Sequence, residues 1–321
     1  MTSVRHIEQQ LKELRIQYDQ FSEILAKLNE KYVYETDVLE KFKLENHIRE
    51  QTAKREATYQ KMEILERSEI STKLYQALLR LNYIEQTKVF KCLTDLSPVG
   101  AFIIHGDPYY GQRWLLNRLL KQVFHTPGEI PLTITFSPRR RWDFQVVLRE
   151  IGQQTGIRNP LSLTEIVEQL YRRWQQGTVV LIFHQVGKIH RELLQELWEK
   201  FWCELAKKTT NPQSRQYKLL LFLVDDDGSV NTWPFTCSEN VNTSWEPLTP
   251  IQFPRLTLIR SEELKNWIDH EWDALPESIR TTPIEDILQQ SDAGIPQSVL
   301  EHLCTLWGCD WLEMEPQWLI H

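Results

Sequence analysis

No apolar run in this chain of 321 residues approaches the roughly 20 residues that cross a bilayer. The first residues, Met-Thr-Ser-Val-Arg-His-Ile, lack the apolar core of a secretory signal. Cysteine is sparse: Cys92, Cys203, Cys237, Cys304 and Cys309 are scattered and odd in number, unlike a secreted disulfide framework. Cys304 and Cys309, with only His302 beside them, make a poor zinc signature. These absences point to free thiols in a reducing, cytoplasmic setting with no membrane segment. Excess basic charge is missing too. The net charge is -7, which argues against broad electrostatic binding of nucleic acid. There is no solenoid-type repeat and no low-complexity tract.

What is present is ordinary globular composition, 41% hydrophobic and 25% charged, with length for two or three domains. Twelve tryptophans are a high count, and bulky aromatics serve cores and interfaces alike.

The first segment carries an apolar stripe: Ile7, Leu11, Leu14, Tyr18, Phe21, Leu25, Leu28 and Tyr32 alternate spacings of four and three. That is a heptad seam. Asp37 can cap a second helix, with Glu40 three residues on as a capping-box partner. The second helix carries Val38, Phe42, Ile48, Tyr59, Met62 and Leu65 and runs to about Arg67. The expectation for residues 1–67 is an antiparallel, coiled-coil-like hairpin. Its thin core calls for a protein partner or self-association. A new helix start is expected at Ser68-Glu-Ile-Ser71, opening connecting helices over 68–98.

Residues 99–260 alternate strand and helix. Apolar runs predict strands at 99–105, 131–136, 178–183 and 217–224, with a further short strand at 255–259. Amphipathic patterns predict helices at 144–155, 162–176 and 190–206. Apolar strands alternating with helices imply an α/β domain with a mainly parallel sheet flanked by helices. Residues 261–321 read as a C-terminal helical subdomain, winged-helix-like in outline. Residues 211–215 and 228–250 read as loops.

The chemistry turns on residues 106–113, Gly-Asp-Pro-Tyr-Tyr-Gly-Gln-Arg. Strand, glycine, four residues, glycine, helix is the layout of a phosphate-binding loop. A working loop continues with lysine for the β/γ-phosphates and then serine or threonine for Mg²⁺. Gln112 and Arg113 stand there instead. Gln112 brings no charge, and Arg113 cannot ligate a metal. Pro108 removes a backbone donor, and Tyr109 and Tyr110 are bulky enough to fill phosphate space. The later strand ends in His184-Gln185, where a metal-binding aspartate and a catalytic carboxylate belong. Losing the lysine and the metal ligands removes about 5 kcal/mol, roughly a thousandfold in affinity. No cofactor is therefore expected at Gly106, Gly111, Gln112, Arg113, His184 or Gln185, and no catalytic or metal residue is assigned.

Two alternatives stay open. Asp225-Asp226-Asp227 follows a buried strand, so a weak or nucleotide-sensing ATPase could use Arg113 for phosphate and Asp225 or Asp226 for Mg²⁺. Its plain reading is a polar turn. Arg139, Arg140 and Arg141 could contact nucleic acid, against the plainer reading of a solvated loop. His184 reads as a structural histidine.

These residues resemble a known family. Leu-Leu-Arg-Leu-Asn-Tyr-Ile-Glu-Gln-Thr-Lys-Val-Phe at 78–90, Ala-Phe-Ile-Ile-His-Gly at 101–106 and Tyr-Gly-Gln-Arg-Trp-Leu-Leu-Asn-Arg at 110–118 are similar to the inactive STAND domains of bacterial conflict and signalling systems. Leu258 to Trp267, Gly294 to Leu300 and Cys309-Asp-Trp311 support it. The resemblance covers about 70–321. It implies a P-loop NTPase-like fold without catalysis, serving as scaffold or switch. It also implies, more weakly, that the N-terminal hairpin is an adaptor pairing components of one system.

Overall fold

The structure is a computed structural model, describing residues 4–124, 130–156, 162–209, 216–229, 233–239 and 246–319. The loop expected at 211–215 lies outside the described residues. The chain forms two compact units: Met1–Arg80 with Asp273–Leu275, and Leu81–Trp272 with Pro276–His321.

In the first unit, α1 (Val4–Tyr34) and α2 (Val38–Leu78) form a helical hairpin. Arg15 bonds Glu66 at 2.9 Å, Lys73 reaches Glu8 at 3.3 Å, and the Tyr18 and Tyr59 ring centroids are 6.2 Å apart. Rising numbers on one helix meet falling numbers on the other, so the pair is antiparallel. The α1 stripe is spent inside the hairpin. Ile7, Leu11 and Leu25 are buried, and Leu14, Tyr18, Phe21, Leu28 and Tyr32 are half-buried. On α2 the inward positions include Leu44, Ile48, Gln51, Arg55, Thr58, Met62 and Leu65, so the expected α2 stripe is corrected at Val38, Phe42 and Tyr59, which are exposed. The seam therefore carries Gln51, Arg55 and Thr58 where a coiled coil would place apolar side chains.

No new helix begins at Ser68. The helix α2 continues through it to Leu78, with the Thr72 hydroxyl turned back to the Ser68 carbonyl at 2.7 Å. Such back-bonding accommodates Ser and Thr inside a helix.

The second unit is built on a parallel five-stranded sheet of order β2-β3-β4-β1-β5. The strands are β1 (Val99–His105), β2 (Leu132–Thr135), β3 (Val179–His184), β4 (Leu219–Asp225) and β5 (Ile251–Gln252). Three of them, β1, β3 and β4, are buried along their whole length, as sheets covered on both faces require. On one face Phe90 of α3 (Ile84–Leu96) meets Phe102, Phe222 and Phe253 at centroid separations of 5.2 to 6.4 Å. On the other, Ala101, Ile103, Leu221 and Leu223 share a core with α5 (Phe144–Gln154), α6 (Leu163–Gln176), α7 (Arg191–Glu196) and α8 (Cys203–Lys208). Between α7 and α8 a π-helical turn, Leu197–Trp202, aims Leu197, Trp198, Phe201 and Trp202 all inward. The wider turn lets four large side chains face one core.

The strand expected at 255–259 is not formed. Leu256 makes a single bridge to Gly106, and the fifth strand is the two-residue β5. After it come α9 (Ser261–Glu271), α10 (Glu277–Thr281), α11 (Ile284–Gln289), α12 (Pro296–Leu306) and α13 (Trp311–Trp318). Among the described residues this segment contains no strand, so it has helices without a wing. Trp311 and Trp318 close on Trp114 of α4 (Gln112–Val123), with centroids 5.9 and 6.1 Å from it. With Trp174, Trp198, Trp202, Trp233 and Trp267 also buried, most of the tryptophan serves cores. No helix among the described residues is long and apolar enough to cross a membrane.

Candidate functional site: a phosphate-type loop closed on itself

The sheet register sets His105 opposite Asp225 and His184 opposite Val224. Thus β1, β4 and β3 end side by side, and the segments that follow them share one edge. This carboxyl edge is where parallel sheets present their loops to ligands. The glycine-framed loop after β1, Gln185 after β3 and Asp226 after β4 all gather there.

The loop's own groups occupy it. Asp107 turns its carbonyl inward, and the Gln112 side-chain amide donates to it at 2.8 Å, as does the Tyr110 N–H at 3.2 Å. Gln112, in the lysine position, is buried and spends its amide inside the loop. Gly111 has φ +80, and a Cβ there would fall 2.1 Å from the Tyr83 hydroxyl. Tyr83 is buried and donates that hydroxyl to the Tyr110 carbonyl at 3.0 Å. A Cβ on Gly106 would fall 2.9 Å from Leu256 Cβ. Each glycine is needed because another part of the chain presses against it, not to leave room for phosphate. The expectation that Tyr109 and Tyr110 fill the loop is corrected for Tyr109, which is exposed with φ 69. Tyr83 does that work.

Tyr83 is held with care. Asn82 and Tyr83 are consecutive left-handed residues, φ 58 and 57, a conformation that costs free energy without glycine. Arg118, two turns into α4, donates to the carbonyls of Leu81 and Asn82, and Asn82 Oδ1 accepts the Tyr83 N–H at 2.6 Å. Burial pushes the Tyr83 phenol well above its ordinary pKa, against the pull of Arg118, so it stays a neutral donor. From the far side, the Gln297 N–H at the start of α12 donates to the Tyr109 carbonyl at 3.1 Å, and Arg255 pairs with Asp107 at 2.5 Å.

The acidic end of β4 is likewise tied up. Asp225 is fully buried, and its Oδ1 accepts from the Asp227 N–H and the Ser229 hydroxyl at 3.1 Å each. Asp227 pairs with Lys188 at 2.8 Å. Burial pushes the Asp226 carboxyl up to about 6, with Asp225 and Asp227 adding to the rise, while the Arg113 guanidinium and the Gln185 N–H pull it down. Gln185 is left-handed, φ 57, which turns its N–H toward that carboxyl. His184 is buried in the sheet. His105, beside Asp225 in register, donates through Nε2 to the Phe253 carbonyl at 2.9 Å, and burial lowers its pKa.

The residues at this edge do not fit a nucleotide with Mg²⁺. The lysine position is a neutral amide bonded within the loop, the Ser/Thr position is arginine, and the β3 end offers no carboxylate. Among the described residues, no group of three or more His, Cys, Asp or Glu side chains is placed to hold a metal ion.

Residues 78–225 match the family model described as inactive STAND. Over this segment the chain is similar to inactive STAND domains. The segment runs from the end of α2 to the last residue of β4, and so includes both Tyr83 and the loop it closes. Among solved structures, the Walker-type ATPase PABY2304 of Pyrococcus abyssi superposes with a TM-score of 0.43 at 12% identity, covering 74% of this chain and 71% of that one. No curated protein matches the chain.

This edge of the sheet thus brings together Gly106, Gly111, Gln112, Arg113, Gln185 and Asp226, and His184 is buried in the sheet. Arg139, Arg140 and Arg141 lie on the connection before α5, with Arg140 paired to Glu150 at 2.6 Å and its guanidinium 4.4 Å from the Trp142 ring centroid. Sequence reading missed Tyr83, Arg118 and Arg255. The one local signal was Asn82-Tyr83, since asparagine favours left-handed turns.

Proposed function

We propose that this protein is a non-catalytic scaffold or switch in a bacterial conflict or signalling system. It acts by protein–protein interaction through its N-terminal hairpin, with the inactive STAND domain as platform. It uses no nucleotide cofactor and turns over no substrate. The observation that carries this reading is the closed loop: Gln112 and Tyr110 both bond the Asp107 carbonyl, and Tyr83 seals Gly111. A loop held in shape by its own amide and by Tyr83 serves as architecture rather than as a phosphate cradle. A hairpin whose seam is part polar is a weak fold alone and a reasonable adaptor.

Isothermal titration with ATP and Mg²⁺ tests the first half, with no binding tighter than millimolar expected. Sub-millimolar binding abolished by Asp225→Ala would transfer the protein to the nucleotide-sensing reading. That reading draws on the placement of Arg113 and Asp226 at one edge, but their mutual attraction leaves neither a dedicated ligand. Light scattering on the intact chain and on one lacking residues 1–80 tests the second half: loss of self-association or of partner binding on deletion is expected, and retention of both sinks the adaptor role. Nucleic-acid binding through Arg139, Arg140 and Arg141 is disfavoured, since Arg140 is already engaged by Glu150 and Trp142.

A further inference from the structure

We propose that the connection end of the hairpin is a self-association surface, and that its occupant is the same end of a second copy of this chain. The inference rests on the adaptor reading and sharpens it, because the heptad stripe is already spent between α1 and α2. Val33 and Tyr34 close α1, and Val38, Leu39 and Phe42 open α2, on either side of residues 35–37. All five are between 61% and 84% exposed. Elsewhere on the hairpin, exposed apolar side chains such as Ile16, Tyr59 and Ile64 are scattered singly along the helices, which is ordinary.

Several backbone donors of the connection are satisfied within it. Glu35 Oε1 accepts the N–H groups of Thr36 and Asp37 at 2.9 Å each. Asp37 Oδ1 accepts those of Leu39 and Glu40 at 2.8 and 3.0 Å. Lys43 pairs with Glu40 at 2.7 Å, and the Lys41 ammonium lies 5.0 Å from the Tyr32 ring centroid. Asp37 thus caps the start of α2, so its Leu39 and Glu40 donors stay satisfied when this surface is covered.

Area and charge choose the occupant. Together the five residues expose roughly 650 Å² per copy, comparable with the largest patches found on monomers. Two copies end to end could bury at most about 1,300 Å², at the lower end of specific interfaces. Between residues 27 and 45, Lys27, Lys31, Lys41 and Lys43 face Glu30, Glu35, Asp37, Glu40 and Glu45. The near balance avoids self-repulsion and supplies both signs for a two-fold arrangement, in which each patch meets itself. A polyanion or an anionic bilayer would find no net field there.

Sedimentation equilibrium on the full chain tests this, with a concentration-dependent dimer expected. Leu39→Lys combined with Phe42→Lys should weaken dimerisation at least about a hundredfold, as loss of central apolar anchors does. Ile64→Lys, equally exposed but midway along α2, should leave it unchanged. Circular dichroism checks that helicity survives, and Tyr34→Ser, at the last residue of α1, should weaken the dimer without adding a charge. A monomeric wild type overturns the proposal, and so does a dimer indifferent to both connection variants. If those variants stay dimeric while the chain lacking residues 1–80 does not, the adaptor reading survives and only this surface is wrong. If that deletion also stays dimeric, the hairpin does not carry self-association and this surface is wrong, and the adaptor reading falls as well if partner binding is also retained.

Discussion

Replacing Gly111 by alanine sets the loop against the residue that closes it. The new Cβ would lie 2.1 Å from the Tyr83 hydroxyl on a backbone with φ +80. The left-handed conformation alone costs about 1 kcal/mol with a Cβ present. Tyr83 is buried and cannot swing into solvent, so its hydroxyl must give up the bond to the Tyr110 carbonyl, about 1 kcal/mol, and its ring must lose packing, about 1 kcal/mol more. The expected destabilisation is thus about 3 kcal/mol. Tyr83→Phe alone loses only the hydrogen bond, about 1 kcal/mol. In the double variant the nearest ring atom is Cζ at 3.2 Å, tight but tolerable with a small shift. That variant should cost about 2 kcal/mol rather than the 4 of the summed singles, a coupling of about 2 kcal/mol. Urea unfolding at neutral pH, followed by tryptophan fluorescence, measures all three. Additivity to within about 0.5 kcal/mol would refute the claim that Tyr83 is what presses on Gly111.

The Asp226 carboxyl gives a pH signature. Its pKa rises on folding from 3.8 to about 6, so the folded state holds the proton more tightly than the unfolded state. The associated stability is fully present below pH 3.8 and is lost as pH rises through about 6, on the order of 3 kcal/mol in all. Asp226→Asn should therefore raise stability at pH 7 and flatten its decline between about 4 and 6; a variant that is less stable at pH 7, with the slope unchanged, contradicts the assignment. In the hairpin, Gln51 Oε1 is buried without a hydrogen-bond partner at a seam position. Gln51→Leu should stabilise the hairpin by about 1 kcal/mol, read as a higher thermal midpoint by far-ultraviolet circular dichroism; a lower midpoint means the seam is misassigned.

The parts of the fold legible in sequence were those governed by local periodicity and burial. The strands β1, β3 and β4 were readable because each is an unbroken apolar run, and α5 and α6 because their apolar faces repeat at the helical period, while the caps Asp143 and Ser162 came from the structure. The strand placed at 255–259 failed because two-residue β5 owes its pairing to β1 rather than to its own composition. On α2, two apolar registers compete, and α1 selects the one with Gln51, Arg55 and Thr58 inside. The break at Ser68 failed because a hydroxyl can serve a helix interior as well as its cap.

By itself the sequence determined that the phosphate-type loop had lost its charge and its metal ligands, since those are identities at fixed spacings. It could not say what took their place. Tyr83 lies 28 residues before Gly111, and Arg255 and Gln297 lie far beyond it. They reach the loop only because the parallel sheet brings the ends of β1, β3 and β4 to one edge and packs α3 and α12 beside it. Closure of the loop joins the local Gln112–Asp107 bond to these non-local contacts, and the non-local part was decided only by the tertiary structure.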